Sequence, residues 1–207
     1  MTTQQLDDPA ELSDEHDTRV RHLGTWIEIL VSSVLGMVAS LVLAVDAVLL
    51  AADPTADLSC NISDKISCGA VGSSWQASLL GFPNAFIGLL AEPVITTVAV
   101  ASLGRVRFPR WFMLGAQAVS SIGFVFAYWL FYQAYFVIGA LCPWCLLITV
   151  TTTLIFFSFT RINVIDGNFG PRLQHSLGRM FRVYHLDAVA AILVITILAA
   201  MVIYQYL

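Results

Sequence analysis

Long apolar stretches separated by short polar segments dominate the hydrophobic pattern of the chain. Residues 29–45 and 188–207 carry no charge, and residues 111–160 form a run of fifty without a formal charge. One membrane span needs about 20 apolar residues, so the run of fifty must form two helices folded back as a hairpin. Its best break is the Gly-Ala-Leu-Cys-Pro stretch at 139–143, because glycine and proline interrupt helices. The pattern thus predicts an all-α integral membrane protein.

Five spanning helices account for this pattern. The loop at 51–83, between the first two helices, contains a short amphipathic segment at 74–80 that is typical of a half-helix lying on the membrane surface as a lid. The second helix is interrupted only by Glu92 and Pro93. The predicted spans are residues 26–50, 84–103, 111–138, 143–159 and 188–207.

Basic residues lie on alternate loops, which predicts the orientation. Nine arginines fall before the first helix, between the second and third, or between the fourth and fifth, whereas Lys65 falls in the loop at 51–83. Cytoplasmic loops are enriched in Lys and Arg, so we expect a cytoplasmic N-terminus. Five crossings then place the C-terminus on the outer side, together with the loop at 51–83 and the turn at 139–143.

Composition sharpens the picture of the polar segments. Only 12% of residues are charged, against about a quarter in soluble domains. Acidic residues concentrate in residues 1–25, which we interpret as a disordered cytoplasmic tail and not a signal peptide, since no basic n-region precedes an apolar core. The basic loop at 161–187 is expected to lie along anionic headgroups, residues 26–160 to form a four-helix domain and residues 188–207 the fifth helix. No basic surface indicates nucleic acid.

The four cysteines carry the candidate chemistry. Cys60 and Cys68 share the first outer loop, and a Cys-Pro-Trp-Cys motif at 142–145 begins the fourth helix. Proline is tolerated at a first helical position. The helix dipole favours a thiolate at Cys142, and a lowered pKa makes such a sulfur a nucleophile or leaving group. Two thiols at this spacing also form a disulfide of the labile, catalytic kind.

Three interpretations of the cysteines remain open from the residues alone: a redox relay, a zinc site and structural disulfides. Zinc is disfavoured because no histidine lies in the outer loops and an oxidising compartment favours disulfides; we predict no metal. A relay would take electrons at the exposed pair and pass them from the deeper pair to a lipid-soluble carrier. NAD and flavin are disfavoured because the sequence has no glycine-rich phosphate loop. A quinone accepts two electrons, the number released when two thiols form one disulfide.

Several motifs together resemble the vitamin K epoxide reductase (VKOR) family, in the bacterial form that re-oxidises periplasmic thiol oxidants. Within residues 27–159 these are Cys-x7-Cys at 60–68, a serine six residues later, Asn-x3-Gly at 84–88 and Cys-x2-Cys at 142–145. The predicted fifth helix, with no thioredoxin-like domain after it, is similar to the arrangement in the actinobacterial subgroup of this family. The resemblance implies a four-helix transmembrane bundle, with the fifth helix alongside and the lid above a quinone.

The resemblance also implies a role for each site residue. Cys145 would face the quinone, Cys68 would form a mixed disulfide with Cys142, and Cys60 would exchange with the partner. Ser74 and Asn84 would hydrogen-bond near the quinone, although Asn is also a common helix N-cap. The aromatic residues that would line the quinone pocket, or simply fill the bundle as aromatics in membrane helices do, are Trp75, Phe82, Phe124, Tyr128, Trp129, Phe131 and Tyr135.

The function so implied is re-oxidation of a periplasmic DsbA-like thioredoxin-fold oxidase at the bacterial inner membrane, with menaquinone or ubiquinone as acceptor. Thr149 stands where the vertebrate pattern has tyrosine, which puts epoxide reduction in doubt. Reduction of a quinone or its epoxide as the main purpose, and a non-enzymatic protein with structural disulfides, remain the alternatives.

Glu92 and Asp46 are acidic residues within the predicted spans. Glu92 is either functional by its depth in the membrane or hydrogen-bonded to a neighbouring helix, and Asp46 is expected to reach water.

Overall fold

The computed structural model describes residues 9–63, 65–171, 174–175, 178, 180–181 and 185–206. These ranges contain isolated β-bridges but no strand, so the predicted all-α class is confirmed. The helices that build the site and its support are α1 (Pro9–Ala52), α2 (Cys68–Gly72), α3 (Ala85–Leu103), α4 (Arg110–Tyr132), α5 (Pro143–Ile165) and α6 (Leu186–Tyr206).

Five helices are long and apolar enough to cross a membrane, which confirms the predicted number of spans. They are α1 from His22 onward, α3, α4 with its continuation to Ile138, α5 and α6. Helix α1 packs on α3 and α5, whereas α4 and α6 pack on α5. Helix α5 is therefore central, and α1, α3, α4 and α5 form the predicted bundle with α6 beside it.

Helix α1 is longer than predicted. It begins at Pro9, so the part of the predicted disordered tail that the structure describes is helical; residues 1–8 lie outside the described ranges. Proline suits a first helical position, acidic residues near an N-terminus interact favourably with the helix dipole, and no glycine or proline occurs from residue 10 to 23. Because this segment is continuous with the long apolar span, the helix extends back to Pro9.

Helix α5 also runs past its predicted end at residue 159, to Ile165. The sequence limit was the charge of Arg161. In the structure its guanidinium forms an ion pair with Asp187 of α6 at 3.0 Å. Asn163 is fully buried, and its amide donates to the Phe159 carbonyl oxygen. The charge of Arg161 is thus paired and the amide of Asn163 is hydrogen-bonded within the bundle, and the helix continues.

The predicted break between the third and fourth spans is confirmed and has a defined geometry. Helix α4 continues as one π-helical segment, Gln133–Ile138, and ends at Gly139, whose φ of 74° lies in the left-handed region. Glycine adopts this conformation without steric cost. The turn that follows is tied to the loop after α1, because Leu141 N–H donates to the Lys65 carbonyl at 2.8 Å and Ser67 N–H donates to the Leu141 carbonyl at 3.1 Å.

The lid is shorter than the predicted half-helix at 74–80. Only Trp75–Ser78 is helical, as a 3-10 turn, because the chain turns again at Gly81, where φ is 84°, and Pro83 follows. The lid is hydrogen-bonded to the π-helical continuation of α4 and to the start of α3. Gln76 donates from Nε2 to Gln133 Oε1 at 3.4 Å, and Asn84, at the start of α3, donates from Nδ2 to the Gln76 carbonyl at 2.6 Å.

Small residues bring α1 and α3 together. A Cβ at Gly36 would lie 2.6 Å from Glu92 Oε1, and a Cβ at Gly88 would overlap the fully buried Ser40 side chain. Membrane helices lack a hydrophobic driving force between them and rely on such close approach.

A Gly88→Ala substitution should therefore lower the unfolding temperature of the detergent-purified protein by about 2–10 °C, because overpacking costs about 1–3 kcal/mol. Gly115→Ala is the matched control: Gly115 is exposed on α4 and a Cβ there meets nothing within 4 Å. Differential scanning fluorimetry should show this control unchanged or slightly stabilised. Equal unfolding temperatures for the two variants would contradict the close packing.

Candidate active site

The first cysteine pair is closed as a disulfide. Cys60 and Cys68 are bonded, with their Cα atoms 5.6 Å apart. Cys68 begins α2, which Ser67 caps by accepting a hydrogen bond from Ala70 N–H. The Asn61 side chain joins the two halves of the loop, because its Oδ1 accepts from Gly69 N–H at 3.0 Å and from Ser67 Oγ at 3.1 Å. The loop thus holds the disulfide at the end of the bundle where α5 begins.

The second pair lies directly against the first. Cys142 is the N-cap of α5, with Pro143 at the first helical position, and its Sγ accepts a hydrogen bond from Cys145 N–H at 3.4 Å. The Sγ atoms of Cys68 and Cys142 are 3.3 Å apart. The structure therefore places the four cysteines, from two distant parts of the chain, in one row at one end of the bundle.

Most of this sulfur row is shielded from solvent. Cys60 is 6% exposed and Cys68 and Cys142 are 2% exposed. They form one buried cluster with Leu58, covered by Leu43, Leu50, Val71, Trp144 and Cys145. An attacking sulfur and its target are consequently held in a dry environment, where charge on sulfur is not stabilised by water.

Local hydrogen bonds stabilise negative charge at Cys142. The Cys145 thiol, as a donor to the Cys142 sulfur, holds the pKa of Cys142 below its ordinary value, and the backbone N–H groups of Cys145 and Trp144 reinforce this. Burial and the charge of Asp46 oppose it. The lowering of the Cys142 pKa agrees with the helix N-terminal position expected from the sequence, so Cys142 is the better-stabilised leaving group of the inner pair.

Asp46 is a neighbour of the sulfurs that the sequence did not identify. Its Oδ2 lies 3.7 Å from Cys60 Sγ, and its carboxylate and the sulfurs of Cys60 and Cys68 lie within 4.8 Å of one another. Three such groups also suit a metal ion, but the thiolate is the metal-binding form of cysteine, and these two sulfurs are bonded to each other. Asp46 had been expected only to reach water.

A comparison with protein-family models matches the part of the chain that carries these four cysteines. A family model described as "Vitamin K epoxide reductase family" matches residues 27–160. The chain belongs to the vitamin K epoxide reductase family. No curated protein matches it. The matched range runs from α1 through most of α5 and includes all four cysteines, while α6 lies outside it. Membership makes the chain an oxidoreductase of the membrane, in a family that uses quinones.

Two polar residues that the family resemblance assigned to the quinone lie at the lid. Ser74 precedes the 3-10 turn, and its Oγ donates to the Val71 carbonyl at 2.6 Å. Asn84 uses Nδ2 to hold the Gln76 carbonyl, and it leaves its buried Oδ1 without a hydrogen-bond partner. The Ser74 hydroxyl hydrogen is therefore already used in a hydrogen bond within the loop. Asn84 still has an acceptor oxygen and a second amide hydrogen that can bind a ligand. Asn84 makes no side-chain capping bond to α3.

The aromatic residues assigned to a pocket do not form one group. Trp75 is 65% exposed, with its ring 6.3 Å from that of Trp129, and Phe82 is also exposed. Phe131 packs instead in a buried cluster with Leu141 and with Leu198 of α6. Tyr128 borders this second cluster and pairs its hydroxyl with Thr153 of α5 at 2.9 Å. The lid tryptophan and Phe131 thus face different surroundings.

Glu92 is buried deeper in the bundle, between α1 and α5. Its Oε1 and the Thr151 hydroxyl both approach the position of Gly36, and its Oε2 has no hydrogen-bond partner within the described part of the chain. Glu92 lies about 12 Å along α3 from Asn84 at the helical rise. It is therefore not part of the sulfur row.

Proposed function

We propose that this VKOR-family protein is a quinone-dependent thiol–disulfide oxidoreductase that re-oxidises a DsbA-like thioredoxin-fold partner. The observation that carries the proposal is the contiguous row from the Cys60–Cys68 disulfide to Cys142, with 3.3 Å between the sulfurs of Cys68 and Cys142. Thiol–disulfide exchange proceeds by attack of one sulfur on another through a mixed disulfide. A separation of 3.3 Å lets this attack occur without rearrangement of the backbone.

The row supports a definite order of exchange. A partner thiolate attacks Cys60 and the partner leaves oxidised, so that Cys60 and Cys68 become reduced. Cys68 then attacks Cys142 of a Cys142–Cys145 disulfide, and Cys145 leaves. Cys60 attacks Cys68, which re-forms the outer disulfide and releases Cys142. The structure, with Cys60–Cys68 bonded and Cys142 and Cys145 free, corresponds to the state after this internal transfer, in which the inner pair holds the electrons.

The lid supports a quinone site beside Cys145. A bound quinone would supply a two-electron, two-proton acceptor for the inner pair. Asn84 Oδ1 is a buried acceptor without a partner, so it suits a hydroxyl of the reduced ring, and the second Nδ2 hydrogen suits a carbonyl of the oxidised ring. The exposed apolar side chains of Trp75, Leu80 and Phe82 are compatible with contact between the lid and lipid, from which a quinone would enter.

The cellular setting of the proposal follows from the charge distribution. The arginines on alternate loops support an outer-face location of the sulfur row in a bacterial inner membrane, a location in which disulfides persist. Thioredoxin-fold oxidases act in that compartment, and menaquinone or ubiquinone is the acceptor in the bilayer. The energetics are favourable, since a DsbA-type dithiol has a potential of about −120 mV and respiratory quinones are stronger oxidants.

The test supplies the purified protein, in lipid nanodiscs, with a reduced DsbA-type oxidase and either menaquinone or ubiquinone. We expect oxidation of the soluble dithiol and formation of quinol in a 1:1 ratio, followed by thiol labelling and quinol absorbance. A parallel reaction supplies quinone epoxide with a dithiol. Rapid epoxide reduction without oxidation of the protein partner would instead favour the quinone-directed alternative, and no electron transfer in either reaction would refute the proposal.

A further inference from the structure

Asp46 lies beside Cys60, the sulfur that exchanges with the partner and later re-forms the outer disulfide. Its Oδ2 lies 3.7 Å from Cys60 Sγ, within the range for a hydrogen bond from a thiol. The carboxyl is on α1 near the end of the helix, whereas Cys60 is fourteen residues later in the loop. The loop thus folds back so that one oxygen of the carboxyl meets Cys60.

The surroundings of Asp46 consist largely of sulfur. Cys60 and Cys68 face it from the loop and α2 within the 4.8 Å cluster, and it interacts electrostatically with Cys142 and Cys145 of α5. Asp46 itself is only partly buried. It therefore retains a route by which a proton exchanges with water, while its acceptor oxygen points into the buried row.

We propose that Asp46 is a catalytic base that accepts the proton of the Cys60 thiol when Cys60 attacks Cys68. The inference rests on the proposed exchange at this site. A buried thiol is a weak nucleophile, because the thiolate is the reactive form and burial disfavours charge. A carboxylate in contact with the thiol removes the proton during the attack, so that no free Cys60 thiolate has to form in the dry cluster.

The step balances as follows. The reactants are the Cys60 thiol, the Cys68–Cys142 mixed disulfide and the Asp46 carboxylate. The Cys60–Cys68 bond forms, the Cys68–Cys142 bond breaks, the electron pair of that bond leaves on Cys142, and the proton moves to Asp46. The single negative charge passes from Asp46 to the Cys142 thiolate, which its hydrogen bonds already stabilise. No outside oxidant or reductant enters the step.

An Asp46→Asn variant tests this role by the pH dependence of the step. Without the base, Cys60 must ionise by itself, and an ordinary thiol has a pKa of about 8.5. We expect turnover with the reduced thioredoxin-fold oxidase to fall about 30-fold at about pH 6.5, and the difference from wild type to shrink below about threefold at about pH 9. The Cys68–Cys142 mixed disulfide should accumulate at the lower pH, as detected by mass spectrometry after acid quenching.

Two further variants separate this role from a structural one. Asp46→Glu should restore most of the low-pH rate, because it keeps the carboxylate. Asp53→Asn should behave as wild type, since Asp53 is exposed and hydrogen-bonded only locally, to Thr55. Equal rates for Asp46→Asn and wild type at every pH, or a defect that does not change with pH, would overturn the inference. Absence of exchange in wild type itself would instead refute the proposed function.

Discussion

Replacement of Cys145 by alanine is expected to abolish electron transfer to quinone. Cys145 is the inner sulfur of the row, on the first turn of α5, and Cys142 alone cannot form the disulfide whose formation releases two electrons. We expect quinol formation with the reduced soluble oxidase to fall at least about 10³-fold, as when the nucleophile of a covalent mechanism is removed. The measurement is quinol absorbance in nanodiscs under the conditions used for wild type.

The same variant should change the redox state of the soluble partner in cells. With Cys145→Ala as the only copy, the thioredoxin-fold oxidase should accumulate in its reduced form, as detected by alkylation and gel shift. Thr97→Ala provides the control, because Thr97 is exposed on α3 and donates only to the Pro93 carbonyl, about 20 Å along the helix from Asn84. Normal turnover by Cys145→Ala would remove the central assignment of the inner pair.

The two outer cysteines should give opposite trapping results although both substitutions stop turnover. In Cys60→Ser, Cys68 still attacks Cys142, but no sulfur remains to resolve the product, so the Cys68–Cys142 mixed disulfide should accumulate. In Cys68→Ser the sulfur that lies 3.3 Å from Cys142 is absent, so no bond between the loop and α5 should form. Partner oxidation should fall to background in both variants, by at least about 10³-fold.

Non-reducing peptide mapping distinguishes these results. The expected species in Cys60→Ser links the peptide of α2 to the peptide at the start of α5, and mild dithiol should release it. A link from Cys60 to Cys142 in the Cys68→Ser variant would show that the loop rearranges freely and that the observed order of the row is not the order of exchange. A Cys60–Cys68 disulfide that the reduced thioredoxin-fold oxidase leaves intact in wild type would favour a structural role.

The sequence allowed the spans and the two cysteine pairs to be predicted because membrane burial imposes strong constraints on composition. The break at Gly139 and the five spans follow from length, glycine and proline. The meeting of the pairs at one end follows from counting crossings. These are one-dimensional constraints, and the structure agrees with them.

Other features depend on contacts between segments that no local pattern encodes. Arg161 ended the fourth predicted span by its charge, yet its ion pair with Asp187 lets α5 continue. Asp46 is adjacent to Cys60 only because the intervening loop folds back along α1. Phe131 turns toward Leu198 of α6, and the aromatic residues around it offer no periodicity that indicates which neighbour each one meets.

The start of α1 shows a different reason for the mismatch. The acidic composition of residues 9–25 predicted disorder by average hydrophobicity, a measure that ignores the helix to which these residues are joined. Nucleation is the costly step in helix formation. A segment that extends an existing helix needs no new nucleus. Proline at the first position and acidic residues near the N-terminus are then sufficient for the segment to remain helical.

The tight enclosure of the Cys60–Cys68 bond limits which reductants can reach it. Small reductants that diffuse freely, such as glutathione or cysteine, meet a wall of Leu58, Val71 and Trp144 rather than a bare sulfur. Only a macromolecule that binds the loop and displaces its Asn61 tether would gain entry. In the proposed function, this enclosure would reserve the oxidising power of the quinone for protein partners that present a matching surface.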